Sequence, residues 1–288
     1  MFTERTGQPP ERYLATVGRI FTRFDRQDSG NVSYGVEVDG ARFFVKTAGH
    51  PDDHRPPLDH RQRVALLRNA IRLARVYAHP ALPRLHRVVE SPHGPMLVYD
   101  WAGGELLGAR ARERDHPASA FQRFRHLPVD RIVAVLDTVF DVHALLGAGG
   151  EVAGDFYDGC LLYDFTTGRL SLVDLDHYSP GPYRNEMGRM FGSSRFMAPE
   201  EFTAGALIDE RTTVFTMGRT VLVFLAGGTT APEAFRGPRA LYEVAARACR
   251  EQPDQRYGSL PEFCAAWTVA RGAAGPARLR PARPRLAP

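Results

Sequence analysis

Residues 154–176 read Gly-Asp-Phe-Tyr-Asp-Gly-Cys-Leu-Leu-Tyr-Asp-Phe-Thr-Thr-Gly-Arg-Leu-Ser-Leu-Val-Asp-Leu-Asp and hold three acids placed for chemistry. Two short apolar runs, 160–163 and 170–173, flank a turn containing Thr167-Gly168, which is the pattern of a β-hairpin. Asp155 stands just before the first run, and Asp174 and Asp176 stand just after the second. A hairpin brings its outer ends together, so Asp155 and Asp174 are expected to be neighbours. Carboxylates placed that way divide labour: one orients a hydroxyl while the other holds a magnesium ion against phosphate oxygens. Taken alone, the same residues are equally a hairpin with solvated acids at its ends.

Three segments tip the reading. Asp155-Phe-Tyr-Asp-Gly-Cys160 resembles the catalytic loop of the protein kinase-like superfamily, where an Asp is followed five residues later by a metal-binding Asn. Val173-Asp-Leu-Asp176 resembles the metal-binding Asp-Phe-Gly element, and Arg195-Phe-Met-Ala-Pro-Glu200 resembles the Ala-Pro-Glu that closes the activation segment. Gly154 stands where protein kinases usually carry Arg, and it makes the first segment similar to the corresponding loop of aminoglycoside phosphotransferases as well. The Ala-Pro-Glu stretch belongs to the protein kinase branch. The resemblance implies an α+β, two-lobed fold: a small five-stranded antiparallel N-lobe over residues 1–101 and a mainly helical C-lobe over 102–270. It implies ATP and Mg2+ as cofactors, with Asp155 orienting the acceptor hydroxyl, Asp174 holding the metal and Asp176 in position to supply a further carboxylate.

The elements that must position these acids follow the same order. Residues 18–24 and 32–38 read as paired strands with a turn over 25–31, where the resemblance puts a phosphate-covering glycine-rich loop. Only Gly30, followed by Val32, matches there, because Asp25 and Gln27 stand at the earlier glycine positions. Side chains hinder close backbone approach and the acids repel phosphate, so this loop is a weak cradle. Arg42-Phe-Phe-Val-Lys46 resembles the Val-Ala-Ile-Lys strand, which assigns Lys46 to the nucleotide phosphates. A helix over 58–77 has an apolar stripe at Val64, Leu67, Ile71 and Ala74. Counted back from His79-Pro80, the usual glutamate partner of the lysine falls on Ala70. Either Lys46 works unpaired, another acid substitutes, or nucleotide binding is degenerate.

Strands over 82–89 and 95–99 complete the small sheet. Asp100-Trp-Ala-Gly-Gly-Glu105 resembles the hinge, so Asp100, Trp101 and Ala102 are candidates for the adenine edge and Glu105 for a ribose hydroxyl. A long apolar helix over 129–146 delivers the chain to the first acid, with His143 as a core histidine. Residues 174–200 lack hydrophobic periodicity, as a substrate-positioning segment should. A further apolar helix over 212–225 carries Thr213 where an Asp usually ties this helix to the catalytic loop. By the same resemblance Arg256 pairs with Glu200.

Composition narrows the classes. A chain of 288 residues with 43% hydrophobic residues can bury a substantial core in two lobes. No apolar run approaches the roughly 20 residues that span a bilayer, the first ten residues show no signal peptide, and three scattered cysteines make neither a disulfide framework nor a zinc site. A cytoplasmic location is expected. The net charge is +4, and residues 271–288 alone carry five arginines and no acid, which leaves the remainder near −1. Nucleic-acid and membrane partners are therefore not expected, and the Pro- and Arg-rich tail over 271–288 is expected to be disordered.

The leading expectation is an ATP- and Mg2+-dependent phosphotransferase of the serine/threonine protein kinase type, acting on a protein substrate. Cys160 at the metal-binding Asn position, Ala70, Thr213 and the poor glycine loop keep a second expectation open, a pseudokinase that binds a protein partner. Gly154 and Asp174-Leu-Asp176 keep a third, a small-molecule phosphotransferase.

Overall fold

The computed structural model describes residues 1–25, 29–53, 55–108 and 111–273. Gln27 and Asp28 of the expected glycine-loop turn, and the tail beyond Ala273, lie outside the described residues. In chain order the elements are α1 Pro10–Val17, β1 Arg19–Phe24, β2 Val32–Val38, β3 Ala41–Thr47, α2 His60–Val76, β4 Leu85–Ser91, β5 Gly94–Asp100, β6 Glu105–Leu106, α3 Ala111–Arg114, α4 Ala120–Arg125, α5 Val129–Ala148, β7 Glu151–Val152, β8 Leu161–Tyr163, β9 Leu170–Leu172, β10 Ser179–Pro180, β11 Tyr183–Arg184, β12 Leu207–Ile208, α6 Glu210–Ala226, α7 Arg239–Ala248 and α8 Leu260–Ala273. The fold is α+β.

The first five strands form one antiparallel sheet in the order β1-β2-β3-β5-β4. Side chains alternate across a strand, and the sequence uses that alternation to cover both faces. Tyr34, Val36, Val45, Met96 and Val98 pack with Phe2, Tyr13 and Leu14 under α1, which the sequence reading did not anticipate. Leu97, Tyr99, Val88 and Leu85 pack on the other face with Leu67, Ala70 and Ile71 of α2. Because Val45 points to the α1 face, its neighbours Phe44 and Lys46 point to the opposite one, into the interior cleft. β4 begins three residues later than expected from the apolar run. There Leu82 N–H closes a turn on His79 O at 2.9 Å, and Pro83 has no N–H to give a ladder.

α2 starts at a capping box in which Asp59 and Gln62 exchange hydrogen bonds of 2.8 and 2.9 Å. Its first turn also buries Arg63 completely, with Nε on Ala48 O at 2.8 Å, Nη2 on His50 O at 2.9 Å and Nη1 on Leu58 O at 3.1 Å. One cation thus gathers the carbonyls of the whole 48–58 loop.

The helix-rich part has its own core, in which α5 and α6 are the central members and α4, α7 and α8 lie around them. α8 runs through Ala273, so residues 271–273 are helical and not tail: Arg271 bonds Asp137, and Trp267 Nε1 donates to the same carboxylate at 2.8 Å. No helix among the described residues is long and apolar enough to cross a membrane.

Candidate active site

β8 and β9 pair as the hairpin expected, Leu161 opposite Leu172 and Tyr163 opposite Leu170. Its turn is closed by Asp164, whose carboxylate accepts from Thr166 N–H at 2.8 Å and from the Thr167 hydroxyl at 2.7 Å, and Gly168 supplies the positive φ of 73°. At the open end Val173 N–H donates to Cys160 O at 2.9 Å, which carries the pairing up to the two acidic segments. Asp155 and Asp174 both sit in the left-handed region, at φ 53° and 61°, a conformation that Asp tolerates better than most side chains.

The approach to Asp155 is fixed from two sides. Thr213 on α6 accepts from Ala153 N–H at 2.9 Å, so a threonine makes the tie to this loop that an Asp was expected to make. Gly154 lies against the backbone after Asp176: a Cβ there would sit 2.4 Å from His177 O. Its missing side chain is therefore a packing requirement of this loop. His143 is a core residue, with Nδ1 donating to Val139 O at 2.7 Å and Nε2 accepting from the Tyr178 hydroxyl at 2.6 Å. Burial pushes its pKa down to about 4, which keeps it neutral.

Lys46 reaches from β3 across the cleft and donates to both Asp174 and Asp176. The two acids differ in exposure. The Asp176 side chain is 9% exposed and the Asp174 side chain 52%. Burial works against the charged lysine, but the two carboxylates outweigh it and hold its pKa above the usual value. The Lys46 charge holds Asp174 below the ordinary carboxylate range. Burial raises Asp176, with Asp174 adding to it and Lys46 opposing. Asn69 on α2 fixes the segment around it, donating to Asp176 O at 2.7 Å and to Tyr178 O at 2.6 Å. Of the alternatives left open by Ala70, an unpaired Lys46 does not hold: Asp174 and Asp176 both accept from it.

Asp155 is not bonded to Lys46. Burial raises its carboxyl to about 7, the charge of Asp174 adds to the shift, and Lys46 and Arg189 moderate it. A carboxylate poised near neutrality suits a group that takes a proton from a hydroxyl. His177 Nε2 lies 4.0 Å from Asp155 Oδ2, with burial lowering its own pKa. Cys160 does not point at the acids' carboxylates. Its side chain is buried, with Sγ 3.5 Å from Asp155 O and 4.0 Å from Asp174 O, so the thiol bridges the backbones that carry them.

Lys46, Asp174 and Asp176 line a cavity of about 1060 Å³, and Asp155 is not among its lining residues. Phe44 and Tyr99 line it from the sheet, Leu162 and Leu172 from the hairpin, and Asp100, Trp101 and Ala102 from the crossing between the two parts of the chain. Asp100 and Trp101 N–H already donate to Arg84 O and Arg42 O, at 3.0 and 3.2 Å. The Ala102 N–H has no such partner among the described residues. Gly30, Val32 and Glu105 do not line the cavity. Gly30, at φ 79°, is packed so closely that a Cβ would lie 2.2 Å from Pro56, and Val32 packs with the core under α1. The Glu105 carboxylate is bonded to Arg123 at 2.8 Å.

For a divalent cation, Asp174 is the open oxygen donor, with Oδ2 outside the Lys46 bond. Mg2+ is usually held by one or two carboxylates plus substrate phosphates, and that is what Asp174 and Asp176 offer. No cluster of three or more His, Cys, Asp or Glu side chains that could hold a metal by itself occurs among the described residues.

The hairpin pattern pointed to Asp155 and Asp174 as neighbours, and the resemblance added Asp176. Sequence reasoning missed the Lys46–Asp176 pair, Asn69, and the ion pair between Asp158 and Arg195 at 2.7 Å. Only the first left a signal, the alanine at 70 beside an unexplained second acid two residues after Asp174. In comparison with known proteins, no family model matches the chain and no curated protein is significantly similar to it.

Proposed function

We propose that the chain is an ATP- and Mg2+-dependent phosphotransferase with a protein kinase-like, two-lobed architecture, acting on serine or threonine hydroxyls of a protein. The observation that carries this reading is the convergence of Lys46 from the sheet with Asp174 and Asp176 from the hairpin, at the end of a cavity large enough for a nucleotide. An ammonium held by two carboxylates is a phosphate site in waiting, since polyphosphate oxygens compete for the same donors. Ala102 lines the same cavity and its N–H has no partner among the described residues, which supports an adenine edge there. Asp174, with Asp176 behind it, would hold Mg2+, which would neutralise charge on the transferring phosphoryl group. Asp155 orients the acceptor hydroxyl and takes its proton, and Lys46 positions the phosphates. Incubation of the purified chain with labelled ATP and generic protein substrates, with and without Mg2+, tests the reading. Metal-dependent label transfer that is lost in Asp155→Ala supports it, and equal background in all samples removes it.

One observation favours a second reading, a pseudokinase that binds a protein partner. The Cys160 thiol, where an amide oxygen would complete the metal site, is soft, buried and turned onto backbone carbonyls. Nucleotide binding without turnover would select this reading.

A further inference from the structure

Beside the acidic loop, three arginines gather around one ring and a fourth lies near them. The guanidinium carbons of Arg195, Arg125 and Arg114 lie 5.0, 5.7 and 5.9 Å from the centroid of Phe121, which α4 buries against Phe224. Each distance is within the range of a cation–π contact, so a single aromatic ring is shared by three like charges. Arg236 joins them from the loop before α7, with Nη2 on Leu127 O at 3.0 Å. Burial, Arg236 and Arg195 all press on the charge of Arg125.

Among the described residues the carboxylates in contact with this group are two. Asp158 is buried and bonded to Arg195, and Asp115 is exposed and 3.7 Å from Arg114. Arg125 has neither an ion pair nor a hydrogen bond among the described residues, and its Nε is buried without a partner. It lies over the end of α6, where a Cβ on Gly227 would be 3.1 Å from its Nη2, yet it donates to no carbonyl there. The dry Nε costs free energy in this arrangement, while the half-buried side chain also has Nη1 and Nη2 without acceptors among the described residues.

The cluster also has a defined relation to the chemistry. Asp158 is three residues from Asp155 on the same loop, which limits their separation to about 10 Å of extended chain. Arg195 opens the Arg-Phe-Met-Ala-Pro-Glu segment that ends the 174–200 stretch. Arg195 is bonded to Asp158, so the cluster adjoins the loop that carries Asp155.

We propose that this arginine cluster docks an acidic segment of the acceptor protein, the planar guanidinium forks of Arg114, Arg125, Arg195 and Arg236 taking carboxylates that flank the target serine or threonine. The inference rests on the phosphotransferase reading for the role of the segment. The surface itself is tested by binding, independently of turnover.

The test uses the full chain and three serine peptides of equal length with Glu, Gln or Lys at the flanking positions. Fluorescence anisotropy measures binding, and labelled ATP measures transfer. The expected result is tighter binding of the Glu peptide, weakened by salt and reduced about tenfold in Arg125→Gln, as expected for one lost charge-assisted contact. Arg125 makes no hydrogen bond that the change would break, and a retained unfolding midpoint shows that the variant is folded. In transfer, KM for the Glu peptide rises in Arg125→Gln while kcat holds. Equal binding of Glu, Gln and Lys peptides by wild type overturns the proposal. So does an Arg125→Gln chain that binds the Glu peptide as wild type does, or single-stranded RNA bound more tightly than the Glu peptide. Selective, Arg125-dependent binding without transfer to any peptide upholds the docking surface and counts against the phosphotransferase reading alone.

Discussion

Lys46 on β3 is paired with Asp176 on the segment after β9, so the buried partner of this lysine comes from the hairpin side of the cleft and not from α2, where Ala70 faces it. The pairing joins the sheet to the helix-rich part directly. It also separates the two acids by role: Asp176 is the buried counter-ion and Asp174 the half-exposed one.

Asp176→Ala should therefore be more damaging to the fold than Asp174→Ala. Removing the buried acid strands part of a buried ammonium charge, a loss on the order of 3 kcal/mol. Asp174→Ala leaves Asp176 in place and should cost about 1 kcal/mol or less, as for an exposed partner. Urea unfolding of both variants checks the order. Nucleotide titration should show the reverse, with Asp174→Asn losing the metal dependence of ATP binding. Equal stability of the two variants would contradict the division of roles.

Arg256 and Glu200 form the other decisive pair. Two bonds of 2.6 and 2.8 Å join them out of solvent, and Arg256 also donates to the carbonyls of Arg211, Arg250 and Glu251. Arg256→Ala leaves a buried carboxylate unmatched and should cost on the order of 3–5 kcal/mol. Little soluble protein, or an unfolding midpoint lowered by many degrees, is the expected outcome.

Arg63→Ala should destabilise the chain through backbone groups. It would leave the carbonyls of Ala48, His50 and Leu58 without their shared donor, each at a cost of about 1 kcal/mol or more. Hydrogen exchange should then accelerate over residues 48–58 before it does in the sheet. Uniform acceleration across the chain would point to a different role.

Much of this architecture was legible because its signals are local. The stripe on α2 and the Thr167-Gly168 turn are signals a few residues long, and their elements form where expected. The resemblance of Arg195–Glu200 to a family motif gave the Arg256–Glu200 pair from far apart in the chain. What stayed hidden depends on long-range geometry without a period. Pro10, Glu11 and the spacing of Tyr13, Leu14 and Val17 make only a short helix signal before β1, and α1 forms because Tyr13 and Leu14 find Val36 and Val98 there. Gly154 read as a missing arginine, whereas the nearby carbonyl of His177 excludes any side chain. Gly30, Val32 and Glu105 were placed by analogy with a phosphate loop and a ribose contact, and local packing or a closer arginine claims each of them.

Cys160→Asn tests whether the thiol limits the site. Sγ already sits where an amide N–H could donate to Asp155 O, so Asn can keep that contact and add an oxygen beside Asp174. Metal-dependent transfer should rise, and a tenfold gain needs only about 1.4 kcal/mol of extra transition-state stabilisation. Cys160→Ala should lose the bridge without adding the ligand and show no gain. If the Ala variant is as active as the Asn variant, residue 160 is not at the metal.

The carboxyl of Asp155 predicts a pH dependence in both stability and turnover. In the unfolded chain it ionises near its ordinary value of 3.8, and in the folded chain near 7. Below about pH 4 both states hold the proton and its contribution is fully present. Between about pH 4 and 7 the unfolded chain has lost a proton that the folded chain keeps, so stability falls as pH rises, by at most about 4 kcal/mol. Glu201, which burial also raises to about 7, adds a parallel slope. Asp155→Asn should remove the Asp155 share and leave the Glu201 share, so the difference between the two stability curves isolates one group. Turnover should move the other way, because the base must be ionised to take a proton. Single-turnover transfer should rise with pH to a plateau above about 7, and a cation bound at Asp174 should shift its midpoint lower by adding positive charge beside the carboxyl. A flat rate profile between pH 5 and 8, together with identical stability curves for wild type and Asp155→Asn, would rule out Asp155 as the titrating base.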